Sequence, residues 1–230
     1  MTPELIIFGL LLVLICAGFV ALFLRAFYHK KFVNALALKA CASICFVTLG
    51  AISAFSGNAT PTKLLIFIGL CLGIVGDELI ALCQVFPKHD SLAFIGGGSF
   101  FLCGHVLYAV ALLLLGEASW LALVASFLII SAISATYTKR KGSLIPEMKT
   151  PLTLYLMIIV FVAAVSVGVF FARFTLGASI FAFAMLLFVA SDNILFAYKY
   201  GTKPTFIQNV LLHAYYYSAQ LLIAFSISYL

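Results

Sequence analysis

Eight times along this chain, a run of about twenty residues passes almost without charge, long enough to cross a hydrocarbon layer as a helix. That repetition restricts the fold more than any motif does. Only 9% of the 230 residues are Asp, Glu, Lys or Arg and 65% are apolar, against about a quarter charged in soluble domains. A water-soluble fold of this size cannot hide so much apolar surface. A helix in lipid satisfies its backbone internally and turns its side chains to hydrocarbon. The reading is an all-α polytopic membrane protein, a single transmembrane domain 1–230 with eight transmembrane helices. Gly, Pro and charge punctuate spans near 5–27, 33–55, 63–84, 92–114, 119–136, 152–171, 176–199 and 206–229.

Prolines support these limits. Pro61, Pro151 and Pro204 stand just ahead of spans three, six and eight, where a missing N–H suits a helix start, and Pro87 helps to end span three. Met1-Thr2-Pro3-Glu4 lacks the basic region of a signal peptide, so the first apolar run is expected to be retained as a span. The net charge of +6 is a topology signal and not a nucleic-acid patch, because the bases fall in short gaps. Arg25, Lys30, Lys31, Lys88, Lys139, Arg140, Lys141, Lys149, Lys199 and Lys203 fall in alternate loops; Lys63 and Arg173 face the other side, and Lys39 lies inside span two. By the positive-inside rule both termini are non-cytoplasmic. Cys16, Cys41, Cys45, Cys71, Cys83 and Cys103 all fall within spans, without metal-ligand spacing, and are expected as core packing. The 23 Phe are read as lipid-facing packing, and Gly96-Gly97-Gly98 as a point of close helix approach.

A faint repeat runs through the chain. Gly76-Asp77-Glu78-Leu79-Ile80 in span three resembles Ser191-Asp192-Asn193-Ile194-Leu195 in span seven, 115 residues later, which is half the chain. The following span in each half carries a His with a Tyr three residues on: His105 with Tyr108, His213 with Tyr216. Two four-helix halves in parallel repeat would set the two aspartates at similar depth.

Those aspartates are the chemical clue. Asp77, Glu78 and Asp192 are acids within spans, where an unpaired charge costs at least about 2.5–3.5 kcal/mol at the bilayer centre. A purely structural reading pairs them with Lys39 or makes them protonated donors between helices; the functional reading makes Asp77 and Asp192 one catalytic pair across the interface of spans three and seven, in a cavity open toward the cytoplasmic leaflet. Gly69, Gly73 and Gly76 line a face that admits a neighbouring helix. In span eight, Asn209, His213, Tyr217 and Gln220 form one polar stripe. At about 1.5 Å per residue, Lys39, Asp77, Asp192 and His213 lie roughly 10 Å inside the cytoplasmic ends of their helices, with Tyr155 shallower and His105 and Gln220 nearer 20 Å. No nucleophile elbow, zinc-protease motif or phosphate loop occurs.

This ordered set resembles the YhhN-type lysoplasmalogenase family: Lys39, Gly76-Asp77, Phe101 with His105 and Tyr108, Pro151 with Tyr155, Ser191-Asp192, and Tyr217 with Ala219-Gln220. The resemblance implies a multi-pass enzyme, in a bacterial inner membrane or the endoplasmic reticulum. Its substrate would be a lysophospholipid drawn from membrane lipids, lysoplasmenylcholine or lysoplasmenylethanolamine. Hydrolysis of the vinyl ether bond would release a fatty aldehyde and a glycerophospho-alcohol. It implies that Asp77 and Asp192 are the essential aspartates, supported by Lys39, His105, Tyr108, Tyr155, His213, Tyr217 and Gln220, with no cofactor, metal or nucleic acid. The chemistry independently suits two carboxyls, since enol ether cleavage needs a proton donor to carbon and a carboxylate for the resulting cation and its water. Two other classes share features. A proton-coupled transporter or channel would also have two like halves with central acids. An intramembrane aspartyl protease would want Gly-x-Gly-Asp where this chain has Gly73-Ile74-Val75-Gly76-Asp77.

Overall fold

The computed structural model describes residues 3–141, 146–200 and 205–230. Within them, eight helices are long and apolar enough to cross a membrane. They are α1 (Pro3–Tyr28), α2 (Phe32–Phe55), α3 (Pro61–Val85), α4 (Asp90–Leu113), α5 (Trp120–Lys141), α6 (Pro146–Arg173), α7 (Leu176–Tyr200) and α8 (Phe206–Ser226). Short 3₁₀ turns at Pro87–His89 and Ile227–Tyr229 precede α4 and follow α8. Lys203 and Pro204 lie outside the described residues, as do the side chains of Arg140, Lys141 and Lys149.

Helix starts follow local chemistry. Thr60 caps α3 by accepting from the Lys63 N–H at 3.3 Å, with Pro61 at the first helical position. Thr205 and Gln208 form a reciprocal capping box on α8. Two boundaries differ from the sequence reading by five residues or more: α5 runs on to Lys141, past 136, and α6 starts ahead of 152. α6 begins at Pro146, so Pro151 stands inside the helix instead of ahead of it. The apolar run begins at Pro151 while the helix begins in the polar segment before it, because hydropathy reports where lipid starts and not where hydrogen bonding starts.

Six helices close a ring in the order α2, α3, α4, α6, α7, α8, each packed on the next; α1 lies outside on α2, and α5 outside on α6. The main packings of the first four helices recur in the last four: α1 on α2, α2 on α3 and α3 on α4 are matched by α5 on α6, α6 on α7 and α7 on α8. The halves meet at two seams, α4 on α6 and α8 on α2. This is the arrangement that a parallel repeat of four-helix units produces.

α3 and α4 approach most closely. A Cβ on Gly76 would stand 2.8 Å from the Gly97 carbonyl oxygen, and one on Gly97 would stand 2.7 Å from that of Gly76. Only hydrogen fits at either position, and this contact sets the face on which Asp77 emerges. Gly97 alone of the three consecutive glycines makes such an approach; a Cβ on Gly98 would meet nothing within 4 Å. Burial also corrects two expectations. Cys16, Cys45 and Cys83 are buried, but Cys103 is exposed. The aromatics divide: Phe46, Phe101, Phe181 and Phe188 fill the ring with Tyr108 and Tyr216, while Phe8, Phe55 and Phe183 face outward.

Candidate active site

Asp77 emerges from α3 toward α2 and α8. Its Oδ1 accepts from Lys39 Nζ at 2.7 Å, and the same ammonium donates to the Asp77 carbonyl at 3.0 Å. Oδ2 accepts from Ser43 Oγ at 2.6 Å and from the Tyr217 hydroxyl at 3.2 Å. Tyr217 also lies 3.3 Å from the Lys39 carbonyl and 3.3 Å from Ser43 Oγ. Lys39 and Ser43 are one helical turn apart, so α2 presents both to the same carboxylate. Lys39 and Asp77 are each only 4% exposed. Removing one partner from a buried pair of this kind costs about 3–5 kcal/mol, because the other charge is left uncompensated.

Asp192 is equally buried but differently partnered. Its Oδ2 accepts from the Tyr155 hydroxyl at 3.1 Å. Among the described residues no Lys, Arg or His nitrogen comes within ion-pair distance of it. Its chain neighbours fix its direction: Ser191 Oγ donates to the Leu212 carbonyl of α8 at 3.2 Å, and Asn193 Nδ2 donates to Ser134 Oγ of α5 at 3.0 Å. Asp192, between them, faces α6. In each half, therefore, the aspartate of the third helix is held by a side chain of the second, an ammonium in one half and a phenol in the other.

The two carboxyls do not meet across an interface of spans three and seven. α3 and α7 do not pack on each other, and no hydrogen bond joins the aspartates. The ring order places α2 and α8 around one side and α4 and α6 around the other.

Two cavities relate the clusters instead. The larger, about 520 Å³, has Lys39, Asn209 and His213 on its wall, with Phe23 and Phe27 from α1. At its rim Lys199 Nζ holds the Asp90 carboxylate at 2.8 and 2.9 Å and sits 4.5 Å above the Phe94 ring. The smaller, about 230 Å³, lies between α4 and α6 and is lined by apolar side chains together with Ser99 and Tyr155. Ile80, Phe94 and Leu195 border both cavities. Ile80 and Leu195 are equivalent in the repeat, each three residues on from its aspartate. Each aspartate thus stands about one turn along its helix from a residue of that shared wall, and neither aspartate is itself among the residues that line the two cavities.

The remaining sequence candidates separate by what they pack against. His213 Nδ1 bonds the Asn209 carbonyl at 2.8 Å, and its ring lies near-parallel to Tyr217 with centroids 6.5 Å apart, joining it to the Asp77 side. His105 makes the matching bond to the Phe101 carbonyl at 2.7 Å, but its ring packs on Phe188 at 4.6 Å in the aromatic interior. Tyr108 fits against Gly69, and Gln220 Nε2 donates to the Tyr216 hydroxyl at 3.2 Å. None of these three bonds either aspartate. Nε2 of His105 and Oε1 of Gln220 are buried without a hydrogen-bond partner among the described residues. Glu78 Oε1 is likewise buried without a partner among the described residues. Ser43 escaped the sequence reading, although its spacing of four from Lys39 marks it as sharing that face.

No curated protein and no solved structure matches this chain. The YhhN family model matches residues 34–227, which span α2 to α8 and every residue of the two aspartate clusters. On that match, the chain belongs to the YhhN family.

Proposed function

We propose that this protein is a membrane-embedded lysoplasmalogenase that hydrolyses the vinyl ether bond of a single-chain ether phospholipid, of choline or ethanolamine type. The observation that carries the reading is the unlike partnering of two buried carboxyls, each about one turn along its helix from a residue that borders both an apolar crevice and a larger cavity with Lys39, Asn209 and His213 on its wall. Family membership supports a link to this activity. The basic face, where the larger cavity lies, is assigned to the cytoplasm by its excess of Lys and Arg.

The chemistry follows from the partners. Asp77, compensated by Lys39, serves as the carboxylate; Asp192, with a phenol and, among the described residues, no cation, serves as the acid. Asp192 transfers its proton to the β-carbon of the vinyl ether, and the α-carbon becomes an oxocarbenium centre. Water attacks that carbon as Asp77 accepts a water proton, giving a hemiacetal. The hemiacetal hydroxyl then returns a proton to Asp192, while Asp77 protonates the departing glycerol oxygen. Aldehyde and alcohol leave and both carboxyls are restored, as in other paired-carboxyl hydrolyses. Tyr155 orients the acid, and Ser43 and Tyr217 orient the base. A transporter is the weaker reading, because the aromatic fill of Phe46, Phe101, Phe181 and Phe188 occupies the ring interior that a polar path would need.

The test is to incubate purified protein with lysoplasmalogen and measure free aldehyde. Asp77→Asn and Asp192→Asn should each lower release by at least about 100-fold, the lower range for acid–base catalysis. No aldehyde from wild type, or full activity in either variant, overturns the reading.

A further inference from the structure

We infer that the crevice between α4 and α6 is the site of the substrate's hydrocarbon chain, and that a single-chain lipid enters it sideways from the bilayer, through the seam between the two halves. The inference rests on the lysoplasmalogenase reading and adds the binding mode.

Three observations carry it. The crevice is apolar apart from Ser99 and Tyr155, and Ile95 and Leu154 at its margin are 47% and 56% exposed, so it opens where lipid surrounds the bundle. It shares Ile80, Phe94 and Leu195 with the larger cavity, which holds Lys39, Asn209, His213 and the Asp90–Lys199 pair. A molecule lying across that shared wall must be polar at one end and apolar at the other. A lysophospholipid has this form, with its ether linkage at the junction. Gly98, finally, lines the crevice with open space where a side chain would project.

The binding mode also orders the chemistry. Tyr155 lines the crevice and bonds Asp192, so the acid lies on the chain side, next to the carbon that is protonated. Lys39 lines the polar cavity and holds Asp77 on the glycerol side, where water adds and the alcohol departs.

Gly98→Leu places its Cβ without striking protein, since a Cβ there meets no heavy atom within 4 Å, and adds an apolar side chain at a position that lines the crevice. Each methylene lost from an apolar site weakens binding about fourfold, so displacing even two should lower kcat/KM for a long-chain lysoplasmalogen by at least about tenfold. A short-chain, water-soluble vinyl ether analogue should be turned over within about twofold of wild type, because it needs few of the same contacts. Equal losses on both substrates, or none on either, overturn the inference.

A second measurement is independent of turnover. Wild-type protein in phosphatidylcholine vesicles is irradiated with lysophosphatidylcholine bearing a diazirine in its chain, and the labelled residues are mapped. Label should fall on residues 95–102 and 151–155 and be lost in Gly98→Leu. Label spread over α1 and α5, or equal crevice labelling by a two-chain phosphatidylcholine probe, overturns the chain site. Crevice labelling without aldehyde release from lysoplasmalogen retains the binding mode and overturns the hydrolase reading alone.

Discussion

Replacing Lys39 by Met isolates the ion pair, because the apolar stem keeps much of its bulk while the ammonium 2.7 Å from Asp77 disappears. Asp77 keeps its hydrogen bonds from Ser43 and Tyr217 but stands 4% exposed with no compensating cation. The expected loss is about 3–5 kcal/mol, the cost of breaking a buried pair from one side. At roughly 2–4 °C per kcal/mol for a chain of this size, the unfolding midpoint should fall by about 6–20 °C. Buried Cys16 and Cys45 give the readout, since a thiol-reactive dye reports their exposure as detergent-solubilised protein is heated. The double variant Lys39→Met with Asp77→Leu should recover most of the loss, because replacing both charges by apolar groups is close to neutral. It should remain inactive, because the carboxylate is gone. A shift below about 2 °C for Lys39→Met, or a double variant no more stable than the single one, would refute the argument that each charge is held by the other.

Tyr155→Phe removes the one hydrogen bond that the Asp192 carboxyl accepts among the described residues and should lower aldehyde release by about 10–100-fold with little change in KM, as loss of an orienting partner does; an equal rise in KM and unchanged kcat would count against it. Tyr217→Phe should act similarly through Asp77, and more mildly, since Ser43 and Lys39 still hold that carboxylate. Gly97→Val would drive a branched side chain into the Gly76 carbonyl and should destabilise by about 1–3 kcal/mol or prevent assembly, an overpacking cost; a normally stable variant would contradict the α3–α4 contact. Cysteines placed at the two termini should be labelled by membrane-impermeant reagents from the non-cytoplasmic side, and labelling confined to the cytoplasmic side would invert the topology.

The sequence alone determines that this chain belongs in lipid and that its described residues make eight membrane-length helices, and it orders the polar side chains by distance from their helix ends. Those properties are one-dimensional: charge starvation marks the spans, and rise per residue converts distance from a helix end into depth. The pairing of Gly76-Asp77 with Ser191-Asp192 was legible for the same reason, as a repeat along the chain. Direction around a helix was legible only where the sequence marks one face, as the glycines of α3 and the polar stripe of α8 do. In a soluble protein an apolar stripe points to the core, but in a bilayer both faces are apolar and the stripe loses its contrast. Nothing in the sequence therefore shows that Asp77 turns to α2 and α8 while Asp192 turns to α6, or that α3 and α7 stay apart. The Ser43 to Tyr217 contact joins residues 174 positions apart, and the two cavities exist only in the gaps between helices. Tertiary packing decided these features, through glycine contacts that press α3 onto α4 and buried polar groups that find partners where hydrocarbon supplies none.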